Sequence, residues 1–202
     1  MPRQQSPLSI EYVLLGFIDQ HPIHGYDLFK KISQFDAISL VWHIKQSQLY
    51  ALLDRLEEEG LISSSMIQGE SHPNRKEYSL TSVGAQTFYA WRSSPVEHGR
   101  EIRLELLAKV FFALQASPDE VIELFESQKE KCFEWLQESQ NSLLTLTEAQ
   151  MYERIVFQYR IAQIEATIQW LEQARKQVGM NPMTVLSKSF PTANSNSKWE
   201  TT

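Results

Sequence analysis

Cysteine is almost absent from this sequence, and that limits the kinds of site it can build. Cys132 is the single cysteine among 202 residues, which excludes an internal disulfide and any CxxC metal knuckle. His21 and His24 are three residues apart, but Pro22 stands between them and no third ligand is close in the sequence. We therefore expect neither a metal site nor a cofactor.

Long apolar runs are missing as well. The longest candidate, residues 106–114, is interrupted by Lys109 and falls well short of the ~20 residues that a membrane span needs. The first twelve residues, MPRQQSPLSIEY, lack the apolar core of a signal peptide. Hydrophobic residues make up 42% and charged residues 22% of the chain, which is ordinary for a globular protein. The sequence thus predicts a cytoplasmic protein without membrane contact.

Positive charge is also scarce, with 19 Lys and Arg against 25 Asp and Glu and a net charge of −6. DNA-binding domains are often basic, so the overall charge gives no support to a nucleic-acid partner. The common catalytic signatures are missing too: there is no Walker A motif, GxGxxG, GxSxG or HExxH. We therefore do not expect an enzyme.

The strongest pattern that the sequence does contain lies at residues 46–60, QSQLYALLDRLEEEG. Four leucines recur at i, i+3, i+4 and i+7, which predicts a helix with one buried face formed by Leu49, Leu52, Leu53 and Leu56. The other face begins with polar side chains, and the acids Glu57, Glu58 and Glu59 are held back to its end. Hydrogen-bonding side chains without an acid at a helix start suit contact with phosphates and base edges. Gly60 is expected to end the helix.

The segments around this helix indicate a winged helix-turn-helix domain. Residues 8–20 and 24–35 are predicted as helices, and residues 81–94 as a further helix that Thr81 caps. Two short stretches after the central helix, 61–67 and 75–80, have the composition of strands, and a polar turn separates them. We expect these two strands to form a small two-stranded wing.

Three segments resemble landmark segments of the PadR family of transcriptional regulators, in the same order and at similar separations. They are HGYDL at 24–28, SQLYALLDRLEEEGLI at 47–62 and RKEYSLTSVGAQTF at 75–88. The resemblance covers roughly residues 8–91 and implies DNA binding through the central helix. One departure concerns residues 45–47, where Lys-Gln-Ser stands in place of the cap, Pro and Gly usual in the family. It implies a less rigidly set helix start, which puts base-level specificity in question.

The resemblance also implies candidate binding residues. For DNA, these are cations and hydrogen-bonding groups on the second helix, the central helix and the wing: Lys30, Lys31, Lys45, Gln46, Ser47, Gln48, Tyr50, Arg55, Asn74, Arg75 and Lys76. Some family members respond to phenolic or other flat ligands, so a small aromatic effector is a further expected partner. Aromatic residues that could line its pocket are Trp42, Tyr89 and Trp91, although aromatics at helical spacing are more often core.

The second half of the chain reads as helices at 100–115, 117–140 and 147–178. The last of these has two apolar stripes on nearly opposite sides. One contains Phe157, Ile161, Ile164, Ile168, Leu171 and Val178, and the other contains Tyr152, Ile155, Tyr159, Ala162 and Ala166. Such a helix needs two partners, its own domain and a second subunit in a coiled-coil-like seam. The pattern does not decide which stripe faces which, so both are candidates for dimerisation.

Taken together, the sequence predicts a mainly α protein. A winged helix-turn-helix domain at 1–94 precedes a helical dimerisation domain at 95–180, and no packed structure is expected for the Ser- and Asn-rich residues 181–202. The expected function is sequence-specific transcriptional regulation, as a repressor, by a homodimer on double-stranded DNA with an inverted-repeat operator. The alternative is a protein-interaction adaptor that has kept the winged scaffold and lost DNA binding. The acidic charge balance and the altered start of the central helix support that alternative.

Overall fold

The computed structural model describes residues 9–34, 41, 43–67 and 75–180. Within these ranges the chain is mostly helical, with one small antiparallel sheet. No helix in the described part is both long and apolar enough to cross a membrane.

The described elements follow the predicted order. In the first half they are α1 (Ser9–Gln20), β1 (Ile23–His24), α2 (Gly25–Gln34), α3 (Gln46–Glu58), β2 (Ile62–Ile67), β3 (Arg75–Leu80) and α4 (Ser82–Ser93). In the second half they are a 3-10 turn (Gly99–Glu101), a π-helical turn (Ile102–Leu106), α5 (Leu107–Ala116), α6 (Pro118–Leu144) and α7 (Met151–Met180). Residues 181–202, for which no packing was expected, lie outside the described residues.

The wing belongs to a three-stranded sheet with the order β1-β3-β2. Ile62 pairs with Leu80 in β2 and β3, and Ile23 pairs with Tyr78 in β1 and β3. The two predicted strands, β2 and β3, are therefore present, and β1 adds a third strand that the sequence analysis did not predict. A strand of two residues is too short to show an alternating pattern, and this one also takes His24 out of the predicted second helix.

The central helix α3 matches its prediction closely. Its four leucines are buried, and Gly60 after its C-terminus has a φ of +72°, where glycine is strongly favoured. The Gly60 N–H donates to the Glu57 carbonyl at 3.0 Å, and the Leu61 N–H donates to the Leu56 carbonyl at 2.9 Å. These two bonds form a Schellman motif, which ends the helix and directs the chain into β2.

Helices α1, α2, α3 and α4 enclose the first hydrophobic core together with β3, and α5 contributes to it. Phe88 of α4 and Phe112 of α5 meet edge to face, with ring centroids 5.3 Å apart. Gly16 of α1 allows this approach, because a Cβ there would lie 2.6 Å from the Phe112 ring. The core of the winged half thus includes side chains from beyond residue 94.

The second core lies between α5, α6 and α7 and contains Val121, Phe125, Cys132 and Leu171. Helix α5 is buried on two sides, because Phe112 faces the first core and Ala113 the second. The sequence places Leu104, Leu107, Val110, Phe111 and Leu114 on one side of the helix predicted at 100–115, and this spacing predicts a single buried stripe. That prediction is wrong, because α5 packs on both cores. Leu104 is instead 37% exposed, in the π-helical turn that precedes α5.

Candidate nucleic-acid interface

The start of α3 presents polar side chains to solvent. Lys45, Gln46, Ser47 and Gln48 are all exposed, and the next residue, Leu49, is fully buried. Lys45 occupies the N-cap position in an extended conformation, and its side chain makes no capping hydrogen bond to the described residues. The first N–H groups of a helix lack intrahelical partners and attract anions. This tip therefore offers backbone and side-chain donors together.

A cleft of about 470 Å³ lies beside that tip. It lies between the start of α2, Tyr50 of α3 and the wing, and its lining consists of His24, Gly25, Tyr26, Tyr50, Arg75 and Lys76. Tyr50 packs so closely on Gly25 that a Cβ there would lie 2.7 Å from its ring. The structure thus brings together three predicted residues, Tyr50, Arg75 and Lys76. His24 and Tyr26 were missed, although both lie in the HGYDL segment that carried the resemblance.

Lys76 in this cleft has acidic partners on α3. Its Nζ lies 2.6 Å from Glu57 Oε2 and 4.0 Å from Asp54 Oδ1, and Ser64 Oγ donates to Glu57 Oε1 at 2.5 Å. The hydrogen bond from Lys76, followed by that from Ser64, holds the pKa of Glu57 below its ordinary value. Lys76 is therefore paired within the chain, and its contact with DNA stays a prediction.

Two other predicted cations also have partners within the chain. Arg55 lies 3.2 Å from the buried Glu11 carboxylate and donates to Glu59 Oε1 at 2.9 Å, which ties α3 to α1. Lys31 donates to Gln20 Oε1 at 2.7 Å, and burial lowers the pKa of its amine. In this arrangement both side chains link neighbouring helices, and their role at DNA stays a prediction.

The remaining DNA-binding candidates differ in their exposure to solvent. Lys30 and Arg75 are exposed, as predicted for groups that could meet phosphates. Asn74 lies outside the described residues. The outward-facing surface, called the α3 tip below, therefore consists of Lys45, Gln46, Ser47, Gln48 and Tyr50, with Arg75 beside it.

The predicted aromatic effector pocket is not formed by Tyr89 and Trp91. Trp91 is buried in the first core, where it stacks on Tyr12 with centroids 4.9 Å apart and donates to Glu105 Oε1 at 2.9 Å. Tyr89 is exposed and donates to Asp19 Oδ1 at 2.8 Å. Two residues apart on a helix, these rings point to different sides. Trp42, the third candidate, lies outside the described residues.

No metal-binding arrangement is present in the part of the chain that the structure describes, since no three His, Cys, Asp or Glu side chains converge there. Cys132 is buried in the second core, and this burial raises the pKa of its thiol. A buried thiol of raised pKa is a packing residue rather than a nucleophile.

The two stripes of α7 have different surroundings. Leu171 is buried, and Ile164 and Ile168 pack against the second core, so these members of the candidate dimer set belong to the chain's own interior. Ile161, on the same side, is half-buried. The opposite stripe is exposed over its whole length, and its members are Tyr152, Ile155, Tyr159, Ala162 and Ala166. This second stripe is the more exposed of the two in the single chain, and its role in dimerisation stays a prediction.

Comparison with known proteins gives two family matches that together span most of the chain. Residues 14–90 match the transcriptional regulator PadR-like family, and residues 102–178 match the virulence activator alpha C-term family. The chain is 30% identical over 125 residues to a negative transcriptional regulator, PadR, from Bacillus subtilis (strain 168). That match covers 60% of this chain and 66% of the relative, slightly under two thirds of its length.

Solved structures of similar proteins include PadR from Bacillus subtilis in complex with operator DNA. It is 23% identical with a TM-score of 0.43, and the match covers 85% of this chain and 99% of that one. A PadR-like transcriptional regulator from Bacillus cereus is 20% identical with a TM-score of 0.40, and the match covers 87% and 98% of the two chains.

Proposed function

The chain belongs to the PadR-like family of transcriptional regulators, and from this premise we propose that it is a homodimeric repressor that recognises an inverted-repeat operator. The observation that carries this proposal is the α3 tip. A row of exposed hydrogen-bonding residues, Lys45 to Gln48, stands directly before the buried Leu49. Burial of the leucine face fixes the helix while its polar end remains free to enter a major groove.

The cleft beside the α3 tip supports a contact with the DNA backbone. Tyr26, Tyr50 and Arg75 are among the residues that line it. Hydroxyl and guanidinium groups are common donors to phosphate oxygens, and such contacts set the register of a protein on the duplex. We infer that a single phosphodiester of each half-site binds here, while Gln48 on the α3 tip meets a base edge.

The exposed stripe of α7 supports the homodimer. Tyr152, Ile155 and Tyr159 are 76%, 55% and 61% exposed, respectively, although all three are large and partly apolar. Exposed apolar patches of this kind mark interaction sites, and a stripe on a long helix is suited to an antiparallel or parallel copy of itself. Two α3 tips held by such a pair would reach successive major grooves, about 34–36 Å apart.

The sign of regulation is inferred from the Bacillus subtilis relative, which is described as a negative regulator. We propose no aromatic effector site at Trp91, because this ring is part of the first core. The proposed domain boundary remains near residue 94, at the end of α4.

One observation favours the alternative of an adaptor without DNA binding. Arg55 and Lys76 are paired with Glu11 and Glu57 inside the chain, which leaves few cations at the surface beside α3. Because phosphate contacts provide most non-specific affinity, this arrangement lowers the expected salt dependence of DNA binding. An adaptor would use the same polar tip to bind a protein.

Selection of genomic DNA fragments with the purified protein near physiological salt separates the two functions. Enrichment of a palindromic motif, together with a dimeric mass in sedimentation, is the outcome expected of the regulator. Recovery of random fragments alongside a stoichiometric protein partner would instead favour the adaptor.

A further inference from the structure

The segment that joins the winged half to the helical half is held by two buried polar side chains. This connecting segment comprises residues 94–96, directly after α4. Lys109 of α5 is 1% exposed and Gln128 of α6 is 0% exposed. Both side chains bind the backbone of the connecting segment.

Lys109 binds the first part of the segment. Its Nζ donates to the Ser94 carbonyl at 3.0 Å and lies 3.3 Å from Ser94 Oγ and 3.5 Å from the Pro95 carbonyl. Its charge is balanced by Glu105, whose Oε1 is 3.3 Å away and also accepts the Trp91 indole N–H. The lysine therefore links the connecting segment, α5 and the core of the winged half at one point.

Gln128 binds the last residue of the segment. Its Oε1 accepts the Val96 N–H at 2.7 Å, and its Nε2 donates to the Val96 carbonyl at 3.4 Å. Val96 itself is 1% exposed in the second core. One side-chain amide thus satisfies both backbone groups of a buried residue, and through it α6 holds the end of the connecting segment.

Burying a charged lysine and a polar glutamine costs free energy, so their presence at the connecting segment calls for an explanation. A buried ammonium loses its hydration and is seldom favourable compared with an apolar side chain of similar volume, although such groups can specify one conformation among several. The lysine also follows a π-helical turn, Ile102–Leu106, which carries Glu105. Such turns are rare and occur frequently at functional sites.

We propose that Lys109 and Gln128 are positioning residues, which fix the orientation of the winged half relative to α6 and α7 and thereby set the operator spacing that the dimer accepts. This inference rests on the proposed function, because spacing has meaning only for a dimer on DNA. Helix α5 shares the first core with the winged half. Because Lys109 of α5 and Gln128 of α6 both bind the connecting segment, this segment fixes the winged half and α5 relative to α6 and α7.

The orientation can be measured without DNA. Spin labels on cysteines introduced at the exposed positions Gln86 of α4 and Glu130 of α6, in a Cys132→Ser background, report the distance between the two halves. Labelled chains are mixed with an excess of unlabelled chain, so that only distances within one chain contribute. We expect a narrow distance distribution for this parent protein.

Lys109→Met and Gln128→Met should each widen that distribution at least twofold. Lys129→Met is the matched control, because it removes a lysine of α6 that pairs with Glu126 and does not touch the connecting segment. Circular dichroism must show native helix content in each variant. If Lys109→Met does not fold, Gln128→Met alone decides. Folded variants with distributions as narrow as that of the parent overturn the proposal.

A series of inverted repeats that differ by one base pair in the spacer gives the second readout. Each added pair turns one half-site by about 34–36° around the duplex, so the parent should bind one spacing at least tenfold better than its neighbours. In the two variants that preference should fall below about threefold, while affinity at the best spacing stays within a similar factor. A merely destabilised protein would lose affinity at every spacing and keep its preference, which would count against the proposal.

The two readouts distinguish failure of this inference from failure of the proposed function. If the parent binds no inverted repeat, the regulator proposal fails, and the distance distributions still test whether Lys109 and Gln128 fix the orientation. If the parent binds with a sharp spacing preference that both variants retain, the positioning role fails and the regulator stands.

Discussion

Lys76 on the wing and Glu57 on α3 form an ion pair with 2.6 Å between Nζ and Oε2. The pair joins β3 to the helix proposed to read DNA, and Ser64 of β2 donates to the same carboxylate. The wing and the helix are thereby connected through three side chains. A cation that could bind phosphate instead holds the wing in place.

Glu57→Gln should release Lys76 and strengthen its contact with DNA. We expect tighter binding to all sequences and an increase of about one in the salt slope, the change expected for one further phosphate contact. Glu58→Gln is the matched control, because it removes the same charge from an exposed neighbour. Fluorescence anisotropy over a salt series measures both slopes, and equal slopes for the two variants would contradict this role for Glu57.

The same pair has a defined dependence on pH. The hydrogen bond from Lys76 lowers the pKa of Glu57 in the folded protein. The Glu57–Lys76 pair therefore stabilises the folded protein above the ordinary carboxyl pKa. This contribution is lost as the pH falls through the lowered pKa of Glu57. NMR titration should show a higher pKa for Glu57 in Lys76→Met than in the parent, and the wing should remain attached throughout the neutral range.

Gly25→Ala should weaken DNA binding through Tyr50. The added methyl would lie 2.7 Å from the tyrosine ring, so the ring must leave its place in the cleft. We expect about a tenfold loss of affinity, or ~1.4 kcal/mol, with little change in the salt slope. Gly99→Ala is the control, because a Cβ there meets no described atom within 4 Å. Gel shifts with equal affinity for both variants would remove Tyr50 from the binding surface.

The α3 tip predicts two distinct effects on recognition. Arg75→Ala should lower affinity for every sequence and reduce the salt slope by about one, because its proposed partner is a phosphate. Gln48→Ala should relax discrimination at one base pair of each half-site, at a cost of about 1–3 kcal/mol against the best sequence. Binding assays on a set of single-base operator variants separate the two. A uniform loss for Gln48→Ala would argue against a base contact.

The sequence predicted some elements well because their neighbours lie on a single side. Helix α3 buries only one face and is followed by Gly60. The leucine spacing therefore predicted the buried face, and the glycine predicted the end of the helix. Helix α5 packs against two cores, which removes the single stripe on which such a prediction depends. Its buried face was accordingly predicted wrongly.

The candidate site was also predicted only in part. Exposure of the α3 tip could be predicted from polar residues at a helix start. The pairing of Arg55 with Glu11 could not, because the two are far apart in sequence and meet only through the packing of α1 on α3. The roles of Lys109 and Gln128 were equally hidden, since both bind backbone rather than a side chain that a motif could reveal.

The two sides of α7 lead to the final prediction, which separates assembly from folding. Ile155 is 55% exposed in the single chain and belongs to neither core, so Ile155→Glu should leave the fold intact. A charge within an apolar seam is strongly unfavourable, and we expect sedimentation to show monomers where the parent forms dimers. Gln163→Glu adds the same charge to an exposed position beside the stripe and should stay dimeric.

Leu171→Ala tests the opposite side of the helix. This leucine is 1% exposed in the second core, so its truncation should lower the free energy of unfolding by about 2–5 kcal/mol. The mass of the folded species should remain that of the dimer, because Leu171 does not reach the exposed stripe. Sedimentation and denaturant unfolding of both variants should therefore give opposite results. Ile155→Glu should break the dimer and leave the fold stable, whereas Leu171→Ala should weaken the fold and leave the dimer intact. If Ile155→Glu stays dimeric and Leu171→Ala becomes monomeric without losing stability, the assignment of the two stripes is reversed.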